Sequence, residues 1–172
     1  ERDGLDCRFL AADLADDDLV GRTGPVGLVA FWFGEFNAFA PEAARQVMRN
    51  LAACLAPGGI LVVEYQPRDL FRTDDSQTWQ AVESSVLSDE PHLWLQEHHW
   101  SEEQRAEITV HWLVDLASGA LTRHAQCHQA WSDAQLEALF VAQGLGELEH
   151  HPPITGVDHR FEFPLIVGRR LL

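Results

Sequence analysis

The chain of 172 residues has no lysine, one tyrosine, one methionine and three cysteines. Every strong base is therefore an arginine, and the formal charge is −15. Protonating all nine histidines would still leave the chain negative. Such a field repels phosphate backbones and anionic membranes, which excludes nucleic-acid binding driven by charge. Cys7, Cys54 and Cys127 are odd in number, far apart and each set in an apolar segment. They read as buried free thiols of a reducing compartment, not as a disulfide framework. No Cys-x-x-Cys pair supports a zinc site. There is no signal peptide, and no apolar run reaches the roughly 18 residues of a membrane span. The expectation is one soluble, cytoplasmic domain with a single core.

What is present centres on Gly27 to Tyr65. An apolar run, Leu28 to Phe33, passes through a Gly34-Glu35-Phe36-Asn37 turn into an amphipathic segment from Pro41 to Leu55. Pro41 suits the first helical position and Glu42 the positive end of the helix dipole. Ala44, Val47, Met48, Leu51 and Cys54 share one face; Arg45, Arg49 and Asn50 share the other. Pro57-Gly58-Gly59 is expected to stop the helix before a second apolar run, Ile60 to Val63. Two uniformly apolar strands around a helix describe a βαβ unit buried on both faces.

The rest of the chain is arranged about that unit. Glu1 to Asp6 reads as the end of a helix stopped by Gly4, and Cys7 to Ala12 as a short buried strand ending at Asp13. Asp16-Asp17-Asp18 and Gly21 to Gly24 are loop composition. Thr78 to Val86 predicts a short helix. From Pro91 the period changes to two: His92 to Trp100, Ile108 to Leu116 and Leu121 to Trp131 predict a three-stranded antiparallel meander. Ser132 with Gln135 forms a capping-box pattern for a helix buried through Leu136, Leu139 and Phe140 and ended by Gly144. Gly146 to His151 and Phe161 to Val167 are the last strands, with turn residues Pro152, Pro153 and Gly156 to Asp158 between them.

This order of elements resembles the class I S-adenosylmethionine-dependent methyltransferases. The residues that carry the resemblance are Phe9 to Asp13, Val29 to Glu35, and above all Leu55-Ala56-Pro57-Gly58-Gly59 followed by Ile60 to Glu64. Gly34 to Asn37 and Pro91 to Leu93 are similar to a bacterial subgroup. The resemblance implies an α/β fold: a partial Rossmann-like sheet, mostly parallel with an antiparallel last strand, plus the meander of residues 91–131 inserted as a substrate lid. It also implies methyl transfer from S-adenosylmethionine to a small molecule. The family's Gly-x-Gly-x-Gly loop and its ribose-binding acid are not in this chain, so the expectation is the C-terminal two-thirds of such a domain. The edges flanking the missing unit are then expected to be covered by residues upstream of Glu1 or by another chain, making a homo-oligomer one option. A non-catalytic binding or assembly module of the same fold is the alternative.

The resemblance places Asp13 and the Leu14 amide at the adenine, against a plain reading of Asp13 as a surface loop residue. Phe31, Trp32 and Gly34 border the cofactor crevice, at the carboxyl end of a strand where open α/β sheets bind ligands. Glu35, the one charge in an apolar turn, would be partly desolvated and suited to orient or deprotonate an acceptor; the plain reading is a helix-start residue. Phe36, Asn37, Tyr65 and Gln66 would face the substrate. His98 and His111 are candidate general bases among the meander histidines, which also include His99, His124 and His128. Adjacent strand residues point to opposite faces, so no metal site is expected. Trp94 and Trp112 could meet a substrate ammonium, and Trp100 with them could instead pack the meander onto the sheet.

Overall fold

The computed structural model describes residues 7–15, 19–154 and 163–171. The expected helix end at 1–6, the Asp16 to Asp18 loop, the turn at 156–158 and the first two residues of the last predicted strand lie outside them. Two four-stranded sheets organise the rest. The first takes β1 (Val26–Phe31), β2 (Leu55–Glu64), β7 (Leu145–His151) and β8 (Leu165–Arg170), in the order β1-β2-β8-β7. Only β1 and β2 are parallel; β2–β8 and β8–β7 are antiparallel. The described sheet is therefore mixed, with one parallel pair where a mostly parallel sheet was expected.

Helices α2 (Pro41–Ala53) and α3 (Asp133–Val141) pack on one face of this sheet. Phe36, Met48, Leu61, Leu136, Phe140 and Ile166 meet there, each at 0% exposure. The capping box of α3 forms as read: Ser132 Oγ accepts from the Gln135 amide while Gln135 Oε1 accepts from the Ser132 amide. Helix α2 ends at Ala53, before the Pro-Gly-Gly sequence, and Arg170 donates to the carbonyls of Ala52, Ala53 and Leu55. That cation neutralises the negative end of the helix. Ala56 to Gly59 instead bulge within the start of β2, where the register against β1 slips between Val26 and Leu28. A Cβ on Gly59 would lie 2.9 Å from the Ala56 carbonyl, so only glycine fits. Asn50 is not solvated: it is buried and donates to the Leu14 carbonyl at 3.0 Å.

Several expectations fail for identifiable reasons. Cys7 to Ala12 forms no strand and is exposed, because β1 is the sheet edge and no described strand lies beside residues 7–12 to pair with them. Cys7 and Cys127 are exposed and only Cys54 is buried. A short helix, α1 (Leu19–Thr23), occupies the expected glycine loop. Strand β1 is not buried on both faces; Leu28 is 58% exposed.

The second sheet is antiparallel, in the order β3 (Ser76–Val82), β4 (His92–Ser101), β5 (Ala106–Asp115) and β6 (Leu121–Gln129). The expected helix at Thr78 to Val86 is thus largely replaced by a fourth strand, β3, paired along its whole length with β4. Among the described residues no helix is long and apolar enough to cross a membrane.

Candidate functional site

The parallel pair β1 and β2 ends, at its carboxyl side, in the edge where open α/β sheets bind ligands. Where β1 ends, Phe33 and Gly34 both take left-handed backbone, at φ 66° and 65°. For glycine this is free, whereas an aromatic residue there is strained by about 1–3 kcal/mol. The turn is held from behind. Glu64, buried at the last position of β2, accepts a hydrogen bond from the Phe33 amide. A Cβ on Gly34 would meet the Phe163 ring at 2.8 Å. The strain is thus imposed by a tight local setting, and it presents Phe33 at 68% and Trp32 at 40% exposure on the open side. Phe31 turns inward, edge-on to Phe36 at 6.1 Å.

Asn37 locks the far side of the turn. Its Nδ2 donates to the carbonyls of Gln66, at 3.0 Å, and Gln129, at 2.8 Å, while its Oδ1 accepts from the Gln66 amide at 2.9 Å. One side chain therefore ties the β1 exit, the β2 exit and the end of β6, joining the two sheets. With 1% exposure and these bonds made, Asn37 is enclosed and, contrary to expectation, does not face a substrate. Phe36 is likewise core, at 0% exposure. Tyr65 points away from the open side: it is 2% exposed and its hydroxyl donates to Asp133 at 2.8 Å. Burial first, and then Asp133, push its phenol well above the ordinary range.

Glu35 begins a 3-10 turn, Glu35–Ala38, and is exposed, so the expected desolvation does not occur. Asp13 is exposed in a turn of its own, accepting from the Ala15 amide at 2.9 Å, and Leu14 packs on the core beside Asn50. Beyond the turn an open pocket of about 530 Å³ lies between Ala38, Ala40 and Pro41 on one side and Ala106, Cys127 and Gln129 on the other.

The candidate bases on the second sheet are spent inside it. His111 Nδ1 accepts from the Trp94 indole at 3.1 Å, which puts the ring proton on Nε2. Burial, and then the nearby His124, lower its basicity, so geometry and environment both favour the neutral ring. His98 has Asp74's carbonyl at 3.0 Å and Glu107's carboxylate at 2.6 Å on its two nitrogens. Among the described residues neither ring bonds to the crevice wall. Trp94 and Trp112 sit on opposite faces, since Trp94 pairs with Leu113 and Leu95 with Trp112. The Trp112 indole donates to Glu97 at 3.0 Å, and Arg123 lies 5.4 Å above its ring. The two tryptophans cannot share one substrate. No cluster of three or more metal-ligating side chains occurs among the described residues.

Phe33 and Glu64 are residues of the β1 exit that sequence reading missed. A left-handed phenylalanine has no sequence signature. Glu64 did have one, as an acid ending a buried apolar run, but it reads equally as the start of the polar segment that follows.

No family model and no curated protein sequence matches the chain. Solved structures do match in fold. An amino pentose methyltransferase from Micromonospora echinaspora, solved with S-adenosylmethionine bound, is 18% identical over 92% of this chain and 63% of its own, with a TM-score of 0.57. A sugar N-methyltransferase from a Streptoalloteichus species is 21% identical over 94% and 61%, with a TM-score of 0.60. An S-adenosylmethionine-dependent methyltransferase from Clostridium acetobutylicum is 10% identical over 99% and 68%, with a TM-score of 0.65. The chain spans about three fifths of the length of the first two. Its fold is that of the class I S-adenosylmethionine-dependent methyltransferases.

Proposed function

We propose that the β1–β2 edge is one wall of an S-adenosylmethionine site and that the complete protein methylates a small molecule. The observation that carries this is the strained, exposed Phe33 beside Trp32, held by Glu64 and Gly34 at the sheet edge where α/β folds bind ligands. Unrewarded strain at an exposed aromatic is costly, and a flat ligand lying on those rings rewards it. The residues fit the cofactor's chemistry in two further ways. An aromatic shelf suits adenine, and an acidic chain attracts a ligand of net positive charge. Asp13 and the Leu14 amide are assigned to the adenine edge on resemblance alone.

The cofactor, when bound, supplies a methyl group on a cationic sulfur. This chain's part is positional: Asn37 and Glu64 fix the turn, Phe33 and Trp32 cover the ligand, and the second sheet closes over the acceptor to exclude water. Glu35, exposed at the mouth, is the group placed to hold the acceptor's ammonium or hydroxyl.

Calorimetric titration of the full-length protein with S-adenosylmethionine tests the proposal. Saturable heat that S-adenosylhomocysteine competes away supports it. Absence of both heat and competition would remove the enzyme reading.

A further inference from the structure

Among the described residues, two buried side-chain nitrogens have no hydrogen-bond partner, the indole Nε1 atoms of Trp100 and Trp131. Folded chains pair nearly all such groups, because a stranded donor forfeits the bond it would make in water. Trp100 lies under the Arg68 guanidinium, 4.3 Å from its ring centre. Trp131 is the more enclosed of the two, at 4% exposure, and its ring meets Phe36 at 6.0 Å. It also forms part of the wall of a cavity of about 370 Å³ between α2 and α3. Pro41, Ala138, Leu139 and Ala142 make the apolar part of that wall, and no residue of the β1 exit lines it. The volume falls within the range of about 300–1,000 Å³ that small-molecule sites occupy.

We propose that this cavity binds a small uncharged molecule with an apolar body and a carbonyl oxygen, which accepts from Trp131 Nε1. Three observations select that chemistry. An indole N–H only donates, so its partner must bring an acceptor. Charge is the second. Arg45 is the one charged residue on the wall among the described residues, and Glu42 already meets it at 2.5 Å. An anion would find no free cation there and would be repelled by a chain of charge −15. A cation would bring no acceptor. The third is that neighbouring amides are engaged elsewhere, which leaves the indole as the anchor. Gln129 Nε2 donates to the carbonyls of Gln104 and Arg105, and Gln135 Oε1 accepts from the Ser132 amide. An alkyl amide has each part the site asks for: its oxygen gives the stranded donor a bond, and its chain covers Pro41 and Leu139.

Hexanamide is the probe, titrated into the full-length protein and followed by proton–nitrogen correlation spectra. It should move the Trp131 indole resonance downfield and saturably, that resonance being identified by its loss in Trp131→Phe. Hexanoate and hexylamine should bind about tenfold more weakly or worse, since each carries a charge the wall does not meet. Ala138→Trp alters an exposed helix position, so it should keep the native circular dichroism while it fills the cavity and abolishes the shift. No movement of the Trp131 resonance up to the solubility limit of hexanamide overturns the inference. So does a shift shared equally by the other indoles, one that survives Ala138→Trp, or hexanoate bound as tightly as hexanamide.

Discussion

The two sheets bury their side chains by different means. In the first, Phe36, Met48, Leu61, Phe140 and Ile166 exclude water by packing against α2 and α3. In the second, Ala106, Val110 and Leu113 are buried beside three histidines and Thr109, and hydrogen bonds hold the histidines: His92 to Ser85, His98 to Glu107, His111 to Trp94. The first arrangement is stable but carries no chemical memory. The second is specific and sensitive to protonation. Between them stands a single amide, Asn37, bonded to both. How the two sheets meet at the β1 exit depends on that joint.

The contrast breaks most visibly in the core. Phe36→Ala should cost about 3–5 kcal/mol in chemical denaturation, because a fully buried ring leaves a cavity. Asn37→Ala should cost less, about 2–3 kcal/mol, since it strands the Gln66 amide and the carbonyls of Gln66 and Gln129. It should nevertheless weaken cofactor binding more than Phe36→Val does. Equal effects on binding would show that Asn37 is only another core residue.

The second sheet should respond to pH where the first does not. His111 is less basic in the fold than its ordinary 6.5, from burial and then from His124. Its neutral form is the one the fold accepts, so its contribution is complete above about pH 6.5 and is lost as pH falls through the lower folded value. His111→Gln should flatten that part of the stability profile while a glutamine oxygen still accepts from Trp94. An unchanged slope would mean that other groups carry the acid sensitivity.

How legible this was in the residues follows the same division. Strand β1, helix α2 and strand β2 could be read because packing writes itself as apolar periodicity, and the α3 cap because Ser132 and Gln135 are a local pair. Strand β3 could not. Ser76 to Val82 alternates weakly and is held by its partner β4, a long-range term absent from a local window. Residues 7–12 had strand composition but no described neighbour to pair with. At the site, Gly34 was visible as a turn glycine. The roles of Asn37 and Tyr65 were not, because hydrogen bonds across 92 and 68 residues decide which way those side chains face.

On the proposed reading, Phe33 is strained for binding and not for folding. Phe33→Gly separates the two, since glycine accepts φ 66° without cost and removes the exposed ring. Titrating full-length wild type and Phe33→Gly with S-adenosylmethionine, alongside their denaturation curves, is the direct measurement. The variant should be at least as stable as wild type while its cofactor affinity falls about tenfold or more. A variant that binds as tightly as wild type, or that unfolds with its binding, would contradict it.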